Sequence, residues 1–171
     1  KMFFISMTIG MKSYLGDLFA RKETDVLNKT FDKFEWLMHT GSTLFFTVAG
    51  ILIVPFVKVY TFGVNDAEYV QPIFALCMCV ATAIYIIRLP YSYMIQSAGH
   101  FKQTQNSAII EAVLNIFTSI VFVKLFGLVG VALSAAFAMV YRTAYFILYL
   151  SRHILHRGMS KTMKNIFVDI L

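Results

Sequence analysis

Three charged residues stand inside long apolar runs. Arg88 lies in IYIIRLPYSYMIQS, Glu111 in NSAIIEAVLNIF and Arg142 in AFAMVYRTAYF. A guanidinium is a planar fork of N–H donors that suits carboxylate or phosphate oxygens. Two chemistries are therefore open. Glu111 can neutralise an arginine and fasten neighbouring helices, or the surplus positive charge can line a hydrated cavity and hold an anionic group. Long arginine side chains can also snorkel to the headgroups.

Polar and small residues recur around these charges at steps of three and four, which places each set on one helical face. The sets are Tyr85, Arg88, Ser92 and Gln96; Ser107, Glu111, Asn115 and Ser119; Gly130, Ser134, Ala138 and Arg142; and His39, Thr43, Thr47 and Gly50. A charge facing lipid costs several kcal/mol, so these stripes are expected to face protein or water. Asn115, Ser119, Thr43 and Thr47 serve either as interhelical glue or as ligands. Pro90 has no N–H to give Ile86, which makes it a candidate bend or hinge within a turn of Arg88.

Other chemistry finds little footing. The four histidines are scattered without an HExxH pattern, and no phosphate loop or nucleophile elbow occurs. Cys77 and Cys79 are two apart, so on a helix they point to different faces and read as small packing residues. The expectation is a protein that is not an enzyme and uses no metal or cofactor.

The elements that must position the charged residues follow from composition. Of 171 residues, 58% are hydrophobic and 14% charged, with a mean hydropathy of +0.70. Soluble domains carry about 25% charged residues. Four segments approach or exceed the length needed to cross a bilayer: 37–57, 70–96, 106–123 and 128–150. Counted from their basic ends, Arg88 and Arg142 lie about 12 Å in and Glu111 slightly shallower, so the three charges are expected to share one level of the cytoplasmic leaflet. The fold class expected is all-α integral membrane, with four transmembrane helices and an amphipathic cytoplasmic connector.

Loop charges give an orientation. Lys12, Arg21, Lys22, Lys29 and Lys33 precede the first span, Lys102 lies between the second and third, and Arg152, Arg157, Lys161 and Lys164 follow the fourth. Basic loops stay inside, so both ends are expected in the cytoplasm. The net charge of +6 flanks spans instead of forming one stripe, which argues against a nucleic-acid partner. The opening KMFFISMTIG is too short to span and reads, over residues 1–9, as the end of a truncated helix. Residues 10–36 form the connector. Within it Leu27, Phe31 and Phe34 share one face, which suits either an interfacial helix lying on the membrane or an ordinary linker. Residues 151–171 read as a cytoplasmic tail.

QSAGHFKQTQNSAIIEAVLNI, followed by VKLFGLVGVALSAAFAMVYRTAYF, resembles the C-terminal half of bacterial polysaccharide flippases of the multidrug/oligosaccharidyl-lipid/polysaccharide exporter superfamily. GILIVPFVKVYTFGVNDAEYVQP is similar to that family's outward hairpin. The likeness covers roughly residues 28 to 157. It implies part of a larger 12–14-helix fold in the bacterial inner membrane, with the N-terminal half of the transporter missing from this chain. The implied cargo is a polyprenyl-diphosphate-linked oligosaccharide, its tail in membrane lipid. Arg88 would contact the diphosphate, with Arg142 as second choice and Glu111 setting their positions. Tyr85, Ser92, Gln96 and Asn115 would complete the cavity wall. A drug/cation antiporter of the same superfamily would depend on Glu111 instead. An integral-membrane transferase would need a catalytic cluster that the sequence does not display.

Overall fold

The computed structural model describes residues 2–63 and 70–155, and the side chains of 2–5 and 7 are excepted. The described residues form five helices: α1 (Met2–Ala20), α2 (Thr24–Tyr60), α3 (Pro72–Ser97), α4 (Phe101–Phe126) and α5 (Leu128–His153). Helices α2 to α5 are each long and apolar enough to cross a membrane. The chain is thus an all-helical, multi-pass membrane protein with four candidate spans. In a bilayer the helix ladder satisfies every backbone polar group within its own segment, so apolar runs of this length resolve as helices.

The breaks lie where the sequence offers left-handed or breaker residues. Lys22 (φ 59°) turns α1 into α2, Gly99 (φ 75°) sits between α3 and α4, and Gly127 (φ 57°) alone separates α4 from α5. Pro72 opens α3 at its first turn, where the missing N–H has no partner to lose. Pro55 and Pro90 both lie inside continuous helices.

Helix α3 is the hub, packed on α1, α2 and α5, while α4 packs extensively only on α5. The contacts of α2 with α3 run in opposite senses, His39 meeting Tyr91 and Gly50 meeting Leu76, so the two are antiparallel. After the three-residue turn, α1 packs against both α2 and α3. Lys12 of α1 accordingly bonds Gln96 and accepts from Ser97 near the end of α3. Arg21, Lys22, Lys102 and Arg152 therefore gather at one end of the bundle, called the basic end below.

Two expectations about the N-terminal region change. Residues 1–9 and 10–36 do not divide at residue 9, because α1 runs unbroken to Ala20. The second part of the connector is not a separate interfacial helix either. It forms the first turns of α2, a helix of 37 residues and about 56 Å. That length exceeds the roughly 30 Å hydrocarbon core, so α2 projects past α3 at the basic end. The reason is packing: Leu27, Phe31, Phe34 and Met38 follow a four-three-four spacing and are buried against Leu15, Leu18, Met94 and Ile95. The tail boundary at 151 also moves, since α5 continues to His153 and Ile154 and Leu155 fold into the same core. Residues 64–69 and 156–171 lie outside the described residues.

Burial of Leu27 yields a direct test. Leu27→Ala should cost about 2–3 kcal/mol of stability, as expected for truncating a core leucine. A helix lying on the membrane would instead tolerate the change and lose affinity for vesicles. Thermal unfolding in detergent, paired with vesicle flotation, separates the two.

The apolar surface that remains is large. No residue in the most apolar stretch of α4 is buried within this chain, and Ile109, Val113, Ile116, Phe117 and Ile120 are all exposed. Lipid or other membrane helices are the natural cover for such a face.

Candidate functional site

Each of α3, α4 and α5 contributes one charged residue to a single cluster. Nη1 of Arg88 donates to Oε1 of Glu111 at 2.8 Å. Nη1 of Arg142 donates to the other oxygen, Oε2. One carboxylate thus serves two guanidiniums, and the cluster keeps one net positive charge. The side chains of Arg88, Glu111 and Arg142 are only 10%, 16% and 26% exposed. Each cation also rests on a ring, Arg88 at 5.2 Å from the Tyr85 centroid and Arg142 at 5.0 Å from that of Phe146. Such contacts gain strength when desolvated.

The levels match because of helix geometry. Arg88 is nine residues from the end of α3, Glu111 ten from the start of α4 and Arg142 eleven from the end of α5. At 1.5 Å per residue all three lie about 14–17 Å from the basic end, somewhat deeper than the sequence spans imply because each helix extends beyond its apolar run.

Two small cavities adjoin Arg142. One of about 340 Å³ is lined by Glu111, Asn115, Ala138 and Arg142. The other, about 330 Å³, opens toward the basic end past Ser92, Gln96, Lys102 and Gln105. Alanines 108, 112, 135 and 138 create the first space by keeping α4 and α5 free of bulk. The Nε of Arg142 is buried and has no hydrogen-bond partner.

The expected site residues therefore divide. Arg88, Glu111, Arg142 and Tyr85 come together. Asn115 lies one turn beyond Glu111, where its Oδ1 accepts from Ser134 at 3.4 Å. Ser92 and Gln96 form a separate pair, Gln96 donating to Ser92 at 3.0 Å and accepting from Lys12 at 2.9 Å. Pro90 is buried within α3 between two polar clusters. Cys77 and Cys79 are free thiols, and Cys79 borders an apolar groove of about 760 Å³ between α2, α3 and α5.

The second cluster is one the sequence reading missed. The Tyr91 hydroxyl donates to Oε1 of Glu35 at 2.7 Å and pairs with Nε2 of His39 at 3.0 Å. Tyr91, Glu35 and His39 are all essentially buried. Glu35 and His39 are i and i+4 on α2, beside the buried apolar seam, and that spacing was the available signal. Sorting His39 with Thr43 and Thr47 hid it.

Among the described residues no group of three His, Cys, Asp or Glu side chains is placed to hold a metal ion. No family model, curated protein or solved structure matches this chain.

Proposed function

We propose that this chain is the C-terminal part of a bacterial lipid-linked glycan flippase, in which Arg88 and Arg142 receive the diphosphate of a polyprenyl-linked oligosaccharide. The observation that carries the reading is the uncompensated positive charge of the cluster. Two guanidiniums share one carboxylate beside polar cavities within a span, and the Arg142 Nε has no partner. A buried cation in excess favours an anionic ligand. The resemblance of residues 28–157 to the polysaccharide flippases supplies the cargo class. Asn115, Ser92 and Gln96 offer polar groups for sugar hydroxyls, and the polyprenyl chain stays in lipid. A second transporter half would close the cavity, and rocking of the halves would expose it alternately to each side. A cation antiporter is less well supported, because both Glu111 oxygens are already engaged by arginines.

The test is export in a strain lacking its glycan flippase, complemented with the gene carrying Arg142→Met or Arg88→Met. Hydrogen bonds to charged groups contribute about 1.5–3 kcal/mol, so each variant should export about 10- to 100-fold less polymer at equal protein level. Export at the wild-type rate by both variants would assign the arginines to structure alone.

A further inference from the structure

The α2–α3 seam holds ionisable side chains that the arginine cluster does not use. On α2, Asn28, Asp32, Glu35, His39 and Ser42 recur at steps of four and three, so they form one polar line beside the apolar one. The middle of that line is closed off from solvent, with Glu35 1%, His39 2% and Ser42 0% exposed. Tyr91 of α3 is wholly buried and bonded to both Glu35 and His39.

A phenol carries a single proton, so this chain admits two bonding patterns. In the first, Nε2–H of His39 donates to the Tyr91 oxygen and Tyr91 donates to ionised Glu35. In the second, protonated Glu35 donates to the Tyr91 oxygen and Tyr91 donates to bare Nε2. Passing between them breaks the Nε2–H bond and forms a phenolic O–H, while the original phenolic O–H breaks and Oε1–H forms. One proton moves from imidazole to carboxyl and no other reactant is needed. Starting from imidazolium and carboxylate, the transfer turns a buried ion pair into a neutral pair.

An independent observation extends the chain. Ser42 lies one turn beyond His39, and its Oγ is buried with no hydrogen-bond partner. Thr43 and Thr47 follow on α2 and line the apolar groove toward the bilayer centre.

We propose that Glu35, Tyr91 and His39 form a buried proton-binding site between α2 and α3, in which a proton is shared between imidazole and carboxyl through the Tyr91 hydroxyl, with Ser42 as the next polar step into the membrane. The site stands apart from the arginine cluster and does not depend on the transport reading. Among the described residues, charged neighbours lie on α1, α2 and α3. Lys12 of α1 is held by Gln96. Arg88 of α3 is engaged by Glu111 and lies over Tyr85. Asp32 continues the seam on α2, and Lys33 beside it is exposed. Tyr145 and Tyr149 of α5 pack against the same core.

Infrared difference spectroscopy tests the proposal on the 171-residue chain in liposomes, read between about pH 9 and about pH 5, a range that brackets imidazole titration. A protonated-carboxyl C=O band should appear at the acid end. Glu35→Gln should abolish it, Tyr91→Phe should shift it by removing a hydrogen bond, and Asp17→Asn at an exposed salt bridge should leave it unchanged. Trp36, the one tryptophan, is adjacent to Glu35, and its fluorescence should titrate with the same midpoint and become flat in Glu35→Gln. A band that survives Glu35→Gln overturns the proposal, as does a pH range with no carboxyl change. If Glu35→Gln does not fold, Tyr91→Phe decides: an unmoved band and an unmoved Trp36 titration overturn it.

Discussion

Replacing Glu111 by glutamine should lower stability by about 3–5 kcal/mol, the usual cost of removing one partner from a buried ion pair. Glu111 is the sole negative charge in the cluster, and its loss leaves two guanidiniums facing each other within a span. The effect is also mechanical. Helix α4 packs extensively only on α5, so the Arg88–Glu111 bond is its principal tie to α3. Glutamine can accept from one arginine but carries no charge to offset either. Thermal unfolding should show the loss, and adding Arg142→Met to the same chain should recover part of it by removing one of the stranded cations. Arg142→Met alone should be nearly neutral for stability, since Arg88 and Glu111 remain a balanced pair. The contrast matters for function, because Arg142→Met is nonetheless expected to impair export. Equal unfolding temperatures for wild type and Glu111→Gln would mean that water, and not the carboxylate, stabilises the arginines.

The cluster was legible in the sequence because membrane spans punish isolated charge. In 106–123 and 128–150 a lone Glu111 and a lone Arg142 stand out against apolar neighbours, and helical counting brings them to one level with Arg88. The sequence left open whether the two arginines compete for Glu111 or share it. That outcome depends on α3 and α4 flanking α5 at the same height, a tertiary fact. The Glu35–Tyr91–His39 cluster was hidden for a related reason. Glu35 falls in a charge-rich stretch, where a carboxylate ordinarily faces water, and only its i, i+4 spacing from His39 distinguishes it locally from Asp32 or Glu23. Only the burial of Leu27, Phe31, Phe34 and Met38 on the adjoining line shows that this part of α2 is inside the bundle. For the same reason the sequence left the connector open between an interfacial helix and a linker: an amphipathic face reads alike whether its cover is lipid or protein.

Gly130→Ala should be among the most damaging single changes, costing about 4 kcal/mol or more, in the tail reached by overpacking at a backbone contact. A methyl at Gly130 would stand 2.1 Å from the carbonyl oxygen of Phe122, 2.3 Å from its carbon and 2.8 Å from the nitrogen of Val123. All three are main-chain atoms of α4, so no side chain can rotate away. The helices could only separate, yet Gly127 alone joins them and fixes their spacing from the adjacent turn. Separation would propagate along the shared face, where Ser134 meets Asn115 and Arg142 meets Glu111, so the charge cluster would loosen with the crossing. Gly10 is the matched control. It is also helical, but among the described residues nothing lies within 4 Å of its would-be methyl, and Gly10→Ala should stabilise by up to about 1 kcal/mol through helix propensity. Thermal unfolding of the two variants side by side isolates the steric term from the propensity term. Equal, small effects would mean that α4 and α5 cross more loosely than this contact requires. A large loss at Gly130 with a gain at Gly10 would establish the α4–α5 crossing as the fixed frame on which Glu111 and Arg142 are held together.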